Sequence, residues 1–195
     1  MYLVIDLEAT CAEEMPREQM EIIEIGAVWA TPEGVVLDEF QTFVRPSGCA
    51  VLTPFCKELT SIQQSHVDAA PSFAEAMQAF SVFTQKYPNR EWASWGRYDL
   101  LQWERDCQRN AVTNPLAGFH HTNLKNKFAK GRKIKEVGVT KALEIAGLGF
   151  EGTLHRGIDD ARNIAKLVPL ALPPIPTLPE KQELSASSCA KRVVG

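Results

Sequence analysis

Residues 2–6 form an apolar run, Tyr2-Leu3-Val4-Ile5-Asp6, that passes directly into Asp6-Leu7-Glu8. The run is short and rich in β-prone residues, so it reads as a buried strand. Side chains alternate along a strand, and residues two apart project on the same side. Asp6 and Glu8 are therefore aimed at one point from the end of a strand whose other residues belong in a core. Two like charges held in this way are costly, and one takes up a proton unless a cation compensates them. Hard carboxylate oxygens suit Mg²⁺ or Mn²⁺. An isolated Asp-x-Glu is equally what an ordinary polar strand end looks like.

The rest of the chain supplies a frame for that strand. Glu21 to Trp29 reads as a second strand and Val35 to Val44 as a third, with Thr31-Pro32-Glu33-Gly34 as the turn of a hairpin. Thr53 and Pro54 open a short helix ending near Leu59. Ser72 caps a longer one, in which Phe73, Ala76, Met77, Phe80 and Phe83 recur at helical spacing and face the core. Glu91 to Trp95 is a further strand, and Asp99 begins a helix running to about Cys107. Val137 to Ala146, stopped by Gly147, and Asp159 to Leu170 are the last helices. Beyond them Pro173, Pro174, Pro176 and Pro179 precede Ser185 to Ser188, as in an extended tail. The pattern predicts an α/β domain over 1–170 and a proline-rich tail over 171–195.

No apolar run approaches the roughly 20 residues that cross a membrane. The first residues lack the basic region and small-residue cleavage site of a signal peptide and read instead as the first strand. The five cysteines are scattered, with no C-x-x-C pair. A disulfide framework or cysteine zinc site is not expected, and a reducing cytoplasm fits best. Net charge is −3, but from Cys107 to Lys135 there is no acidic residue, while Arg109, Lys125, Lys127, Lys130, Arg132, Lys133 and Lys135 fall there. Such a stretch is either a solvated helix face or a patch for phosphates.

Two more elements join the first carboxylates. Asp99 sits where a strand gives way to a helix, the place where ligand sites of α/β sheets gather; a helix cap is the other reading. His155-Arg156-Gly157-Ile158-Asp159-Asp160 leads into the final helix. Adjacent helical residues point about 100° apart, so Asp159 and Asp160 cannot both face one metal. Helical geometry does not choose between them.

The order of these elements resembles the DEDDh exonucleases of the DnaQ-like group: Asp-x-Glu on the first strand, an Asp after a mid-chain strand, and His-x-x-x-x-Asp entering the last helix. The family spacing selects Asp160. The position four before it is Arg156 rather than Tyr, which fits the tyrosine-bearing sister class less well. Asp6 to Cys11, Glu21 to Glu24, Phe55-Cys56 to Leu59-Thr60 and His66 to Ala70 are similar to the branch holding KapD-like proteins and the RNA-interference and histone-mRNA exonucleases. The likeness runs from residue 2 to about 168.

The resemblance implies an RNase H-like fold, a mixed five-stranded sheet with flanking helices. It also implies two Mg²⁺ or Mn²⁺ ions on Asp6, Glu8, Asp99 and Asp160, with His155 as general base. The implied activity is 3′–5′ hydrolysis of single-stranded 3′ ends, releasing nucleoside 5′-monophosphates, with RNA favoured. A DNA exonuclease of proofreading or repair type would share every catalytic residue. A non-catalytic binding module would need to have lost only one of them, and all five positions are filled. By the same resemblance the terminal nucleotide rests against Leu7, Ala9 and Thr10, with Ile62 on the base. Tyr98 or Trp95 is either a stacking platform for the next base or core, and Asn123 to Lys127 is placed for upstream phosphates.

Overall fold

The computed structural model describes residues 1–172, so all but the first two residues of the predicted tail, 171–195, lie outside the described residues. In chain order the elements are β1 (Tyr2–Ala9), a 3₁₀ turn (Arg17–Gln19), β2 (Ile22–Ala30), β3 (Val36–Phe43), α1 (Pro54–Thr60), α2 (Gln64–Asp68), α3 (Phe73–Thr84) and β4 (Glu91–Ser94). They continue as α4 (Tyr98–Arg109), β5 (His120–Asn123), α5 (Leu124–Arg132), α6 (Val139–Ile145), α7 (Gly157–Ala165) and α8 (Val168–Ala171).

The described strands form one mixed sheet in the order β3-β2-β1-β4-β5. β1 is its centre, antiparallel to β2 and parallel to β4. The alternation of β1 decides which layer sees which side chain. Leu3, Ile5 and Leu7 enter a core with the aromatic face of α3 and Trp103 of α4. Tyr2 and Val4 point the other way, into a core with α5, α6, α7 and α8. Asp6 and Glu8 continue that second side, so the strand's period delivers both carboxylates toward α7. The first core is rich in rings. Phe80 lies 5.3 Å from Phe40 and 4.9 Å from Trp103, and burying each such side chain contributes about 1.5–3 kcal/mol.

The helix over Phe73–Thr84 forms as its spacing predicts, with a capping box in which Ser72 and Glu75 satisfy each other's backbone N–H groups. Two features differ from the sequence reading. The final helix, predicted as one stretch over Asp159–Leu170, is two: α7 ends at Ala165, and α8 restarts at Val168 with Pro169 in its first turn. A proline inside a helix loses a hydrogen bond and clashes with the preceding turn, whereas a first turn tolerates it. The strand β5 was not predicted, because His120-His121-Thr122-Asn123 carries no apolar alternation; it is recruited by parallel pairing with β4. The basic stretch is helical in α5, capped by the Asn123 side chain, which accepts the Asn126 N–H at 3.0 Å. Among the described residues no helix is long and apolar enough to cross a membrane.

Candidate active site

Four acidic side chains converge at one end of β1. Asp6 and Glu8 come from the strand itself, and Asp160 from α7. Each of these three offers a carboxylate oxygen, and those atoms all lie within 4.8 Å of one another. Asp99 reaches the same place from the first turn of α4, after Gly96 turns the chain with φ +129°. It stands just outside the triple, its Oδ1 accepting the Leu7 N–H at 3.2 Å.

The two adjacent aspartates of α7 have different partners. Asp160 is buried and its Oδ2 accepts the Arg156 N–H at 3.2 Å. Asp159 accepts the Thr153 N–H at 2.9 Å and an Arg162 N–H at 2.8 Å, which ties it to the loop and its own helix. The docking of α7 sets this choice. Gly26 of β2 faces Gly157, and a Cβ on Gly26 would sit 2.0 Å from the Gly157 carbonyl carbon. Backbone therefore rests on backbone at the start of α7. Beside that contact, the fully buried Glu24 accepts from Arg156 Nε at 3.0 Å and from the Gly157 N–H at 3.2 Å. The Arg156 guanidinium also lies over the Phe43 ring, 5.2 Å from its centroid. Removing one partner of so buried a pair leaves the other uncompensated, at about 3–5 kcal/mol.

The charge pattern of the cluster fits a cation. Burial pushes the Glu8 carboxyl up to about 9, with Asp160, Glu24 and Asp99 adding repulsion. Asp6 is raised well above the carboxylate range by burial and then by Asp99, Glu8 and Asp160. Asp99 and Asp160 are each raised by burial to about 6, against backbone hydrogen bonds that favour their ionised forms. Four neighbouring carboxyls that hold their protons so strongly are a donor set for hard divalent ions, which remove the repulsion.

A stability test follows. Folded-state values lie above the unfolded ones near 4, so these groups cost the metal-free fold more as pH rises through about 6 and toward 9. The gain in melting temperature on adding Mg²⁺ to chelator-stripped protein should be larger at pH 8 than at pH 5. A gain that is flat or shrinks with pH would contradict a shared site.

The cluster floors an open pocket of about 510 Å³. Leu7, Ala9 and Tyr98 line it, as does Trp95, whose Nε1 is anchored to the Val137 carbonyl at 2.9 Å. His155 is at the rim, exposed, with φ 60°. A left-handed backbone at a non-glycine residue is uncommon but suits His better than most side chains. Other expected contacts fall elsewhere. Thr10 is buried, its hydroxyl accepting the Glu21 N–H at 2.9 Å. Ile62, expected against a base, does not line this pocket: it is 0% exposed and packs with Ile23, Leu52, Cys56 and Val67. Leu59 and Leu154 give the pocket apolar surface instead. Leu59 lies inside the Phe55–Thr60 motif, so the sequence held that signal one helix turn earlier; nothing in the pattern pointed to Leu154 or Arg17. Asn123 is occupied in capping α5, and Lys127 is exposed on that helix, outside the pocket.

Comparisons with known proteins cover the part of the chain that carries these residues. The exonuclease (RNase T) family model matches residues 3–168. The 3′–5′ exonuclease eri1 of Schizosaccharomyces pombe is 29% identical, over 85% of this chain and 66% of its own length. The 3′–5′ exoribonuclease 1 of Mus musculus is 30% identical, over 84% of this chain and 50% of its own. The chain thus spans between half and two thirds of these two relatives. Among solved structures, the nuclease domain of 3′hExo, a DEDDh family member bound to rAMP, superposes with a TM-score of 0.78 at 30% identity, covering 85% of this chain and 88% of that one. A 3′-exonuclease solved for its 3′-end specific recognition of the histone mRNA stem-loop gives 0.79 at 29% identity, covering 85% and 78%.

Proposed function

Because the chain belongs to the exonuclease family, in its DEDDh 3′–5′ branch, we propose that it is a 3′–5′ exoribonuclease that releases nucleoside 5′-monophosphates from single-stranded 3′ ends. The observation that carries this reading is the meeting of Asp6, Glu8 and Asp160 within 4.8 Å, beside Asp99, on the floor of a pocket with His155 at its rim. Preference for RNA rests on the relatives, which are named as exoribonucleases or bind RNA. The free thiols of Cys11, Cys49, Cys56 and Cys107 support a reducing, cytoplasmic setting.

Asp6, Glu8, Asp99 and Asp160 would hold two divalent ions, Mg²⁺ or Mn²⁺. When bound, such ions activate water, neutralise the scissile phosphate and stabilise the leaving 3′-oxygen. The protein's own groups do the rest. His155, on the solvent side of Asp160, accepts the proton of the attacking water, and imidazole is suited to that exchange near neutrality. Leu7 and Ala9 give the terminal nucleotide a floor, while Leu59 and Leu154 exclude water around its base. Tyr98 and Trp95 offer ring surface to the next base, worth about 1–3 kcal/mol where stacking occurs. Lys127 and its neighbours on α5 lie outside the pocket, where only a longer strand would meet them.

The test presents 5′-labelled single-stranded RNA and DNA of equal sequence with Mg²⁺, with a chelator, and with the Asp99→Asn variant. The expected result is a 5′-anchored ladder on RNA, lost with chelator and reduced by at least about 10²-fold in the variant. Equal ladders on both polymers would move the assignment to a DNA-capable exonuclease. No product in any lane would overturn the enzymatic reading.

A further inference from the structure

The pocket walls hold one permanent cation among the described residues, Arg17. It is exposed, and its guanidinium makes no ion pair and no hydrogen bond among the described residues, whereas Arg109, Arg156 and Arg162 are all paired. Nothing in the fold uses this group. The fold nevertheless fixes where it stands. Arg17 opens the 3₁₀ turn Arg17–Gln19, and the carbonyls of that segment are tied to α4: Arg109 donates to Glu18 O at 2.5 Å and to Met20 O at 2.8 Å, and Gln102 to Met20 O at 2.8 Å. Asp106 completes the clamp by pairing with Arg109 and accepting the Ile22 N–H at 2.6 Å. The same helix carries Asp99 in its first turn. One helix thus carries a carboxylate of the cluster and anchors the backbone of the turn from which the unengaged guanidinium reaches the pocket.

Charge makes the use of that guanidinium specific. Two divalent ions would balance the four carboxylates and serve the scissile phosphate, but each further phosphate of an entering strand brings another negative charge. The nearby walls, Met20, Leu59, Leu154 and Trp95, offer it little. A guanidinium grips phosphate oxygens bidentately, a match of shape as well as charge. Resting on the exonuclease reading, we propose that Arg17 grips the phosphodiester upstream of the scissile one. It is then a substrate-positioning residue that makes the enzyme favour strands over dinucleotides.

The experiment compares Arg17→Ala and Arg17→Lys with the wild type on a single-stranded octanucleotide and on a dinucleoside monophosphate, whose only phosphodiester is the scissile one. For Arg17→Ala the octanucleotide KM should rise about tenfold, with kcat changed less than about twofold, as loss of one charge-assisted contact predicts. The slope of log affinity against log salt should fall by about 0.7–1. On the dinucleotide the KM penalty should stay under about twofold, and Arg17→Lys should recover part of the octanucleotide loss. An unchanged octanucleotide KM overturns the proposal. Equal losses on both substrates overturn it too, because Arg17 would then serve the scissile phosphate or the fold; an accompanying drop in melting temperature would identify the latter. A wild type that cleaves neither substrate fails earlier, on the exonuclease reading itself.

Discussion

Replacing His155 by asparagine is expected to cut turnover on single-stranded RNA by about 10²–10⁴-fold, the usual worth of a positioned general base. Asparagine is the informative substitution because His155 sits at φ 60°, a conformation that asparagine accepts and that alanine adopts less readily. The fold is thereby kept while the proton acceptor is removed. Asp160, four residues beyond the preceding backbone amide that it binds, stays where it is. Oligonucleotide binding and the Mg²⁺-dependent gain in melting temperature should therefore match the wild type. Single-turnover kinetics with labelled RNA, read beside thermal denaturation with and without Mg²⁺, separate the two roles. If the Mg²⁺ response disappears along with activity, His155 supports the acidic cluster and the base assignment is wrong.

A second large effect concerns the fold that builds the cluster. Gly26→Ala is expected to destabilise the protein by at least about 3 kcal/mol, at or beyond the upper end of ordinary overpacking. Its Cβ would lie 2.0 Å from Gly157 C, 2.2 Å from Gly157 O and 2.2 Å from Ile158 N. All three are backbone atoms, so no rotamer change relieves the clash and the start of α7 must move off the sheet. Asp160 moves with it. Protein that still folds should have lost the pH-dependent Mg²⁺ stabilisation. Gly131→Ala is the control: it lies inside α5, its added Cβ meets nothing within 4 Å, and alanine there should be neutral or stabilising by about 0.5–1 kcal/mol. Chemical denaturation of both variants decides the matter. Equal stability for Gly26→Ala and the wild type would mean that the backbone contact does not fix α7.

What could be read from the sequence followed the range of the signal. Period-two alternation is local, so Asp6 and Glu8 could be placed together from the first eight residues, and the apolar spacing of Phe73 to Phe83 gave α3 its buried face. The choice of Asp160 over Asp159 could not be made locally. It depends on how α7 is rotated, and that rotation is set by Gly26 and Glu24, more than 130 residues away in sequence. The resemblance supplied by spacing what helix geometry left open. The strand β5 was invisible for a related reason, since its residues are held by pairing with β4 rather than by any preference of their own. Ile62 shows the converse. A motif placed it near the pocket, but its apolar side chain found a closer cluster, and the wall was left to Leu59 and to Leu154, which no local pattern marks.

The bond network around Arg156 also bears on how such a chain can change over generations. The residue four before Asp160 is where the tyrosine-bearing sister class departs from this one. Here its side chain neutralises Glu24, buried at 0% exposure, while its backbone N–H holds Asp160. Tyrosine at 156 would keep the backbone bond and strand the glutamate, so that step alone is blocked by stability before chemistry is tested. Neutralising Glu24 first leaves the arginine without its acidic partner. Positions 24 and 156 are therefore coupled, and exchanging both together is expected to cost less stability than the sum of the two single exchanges.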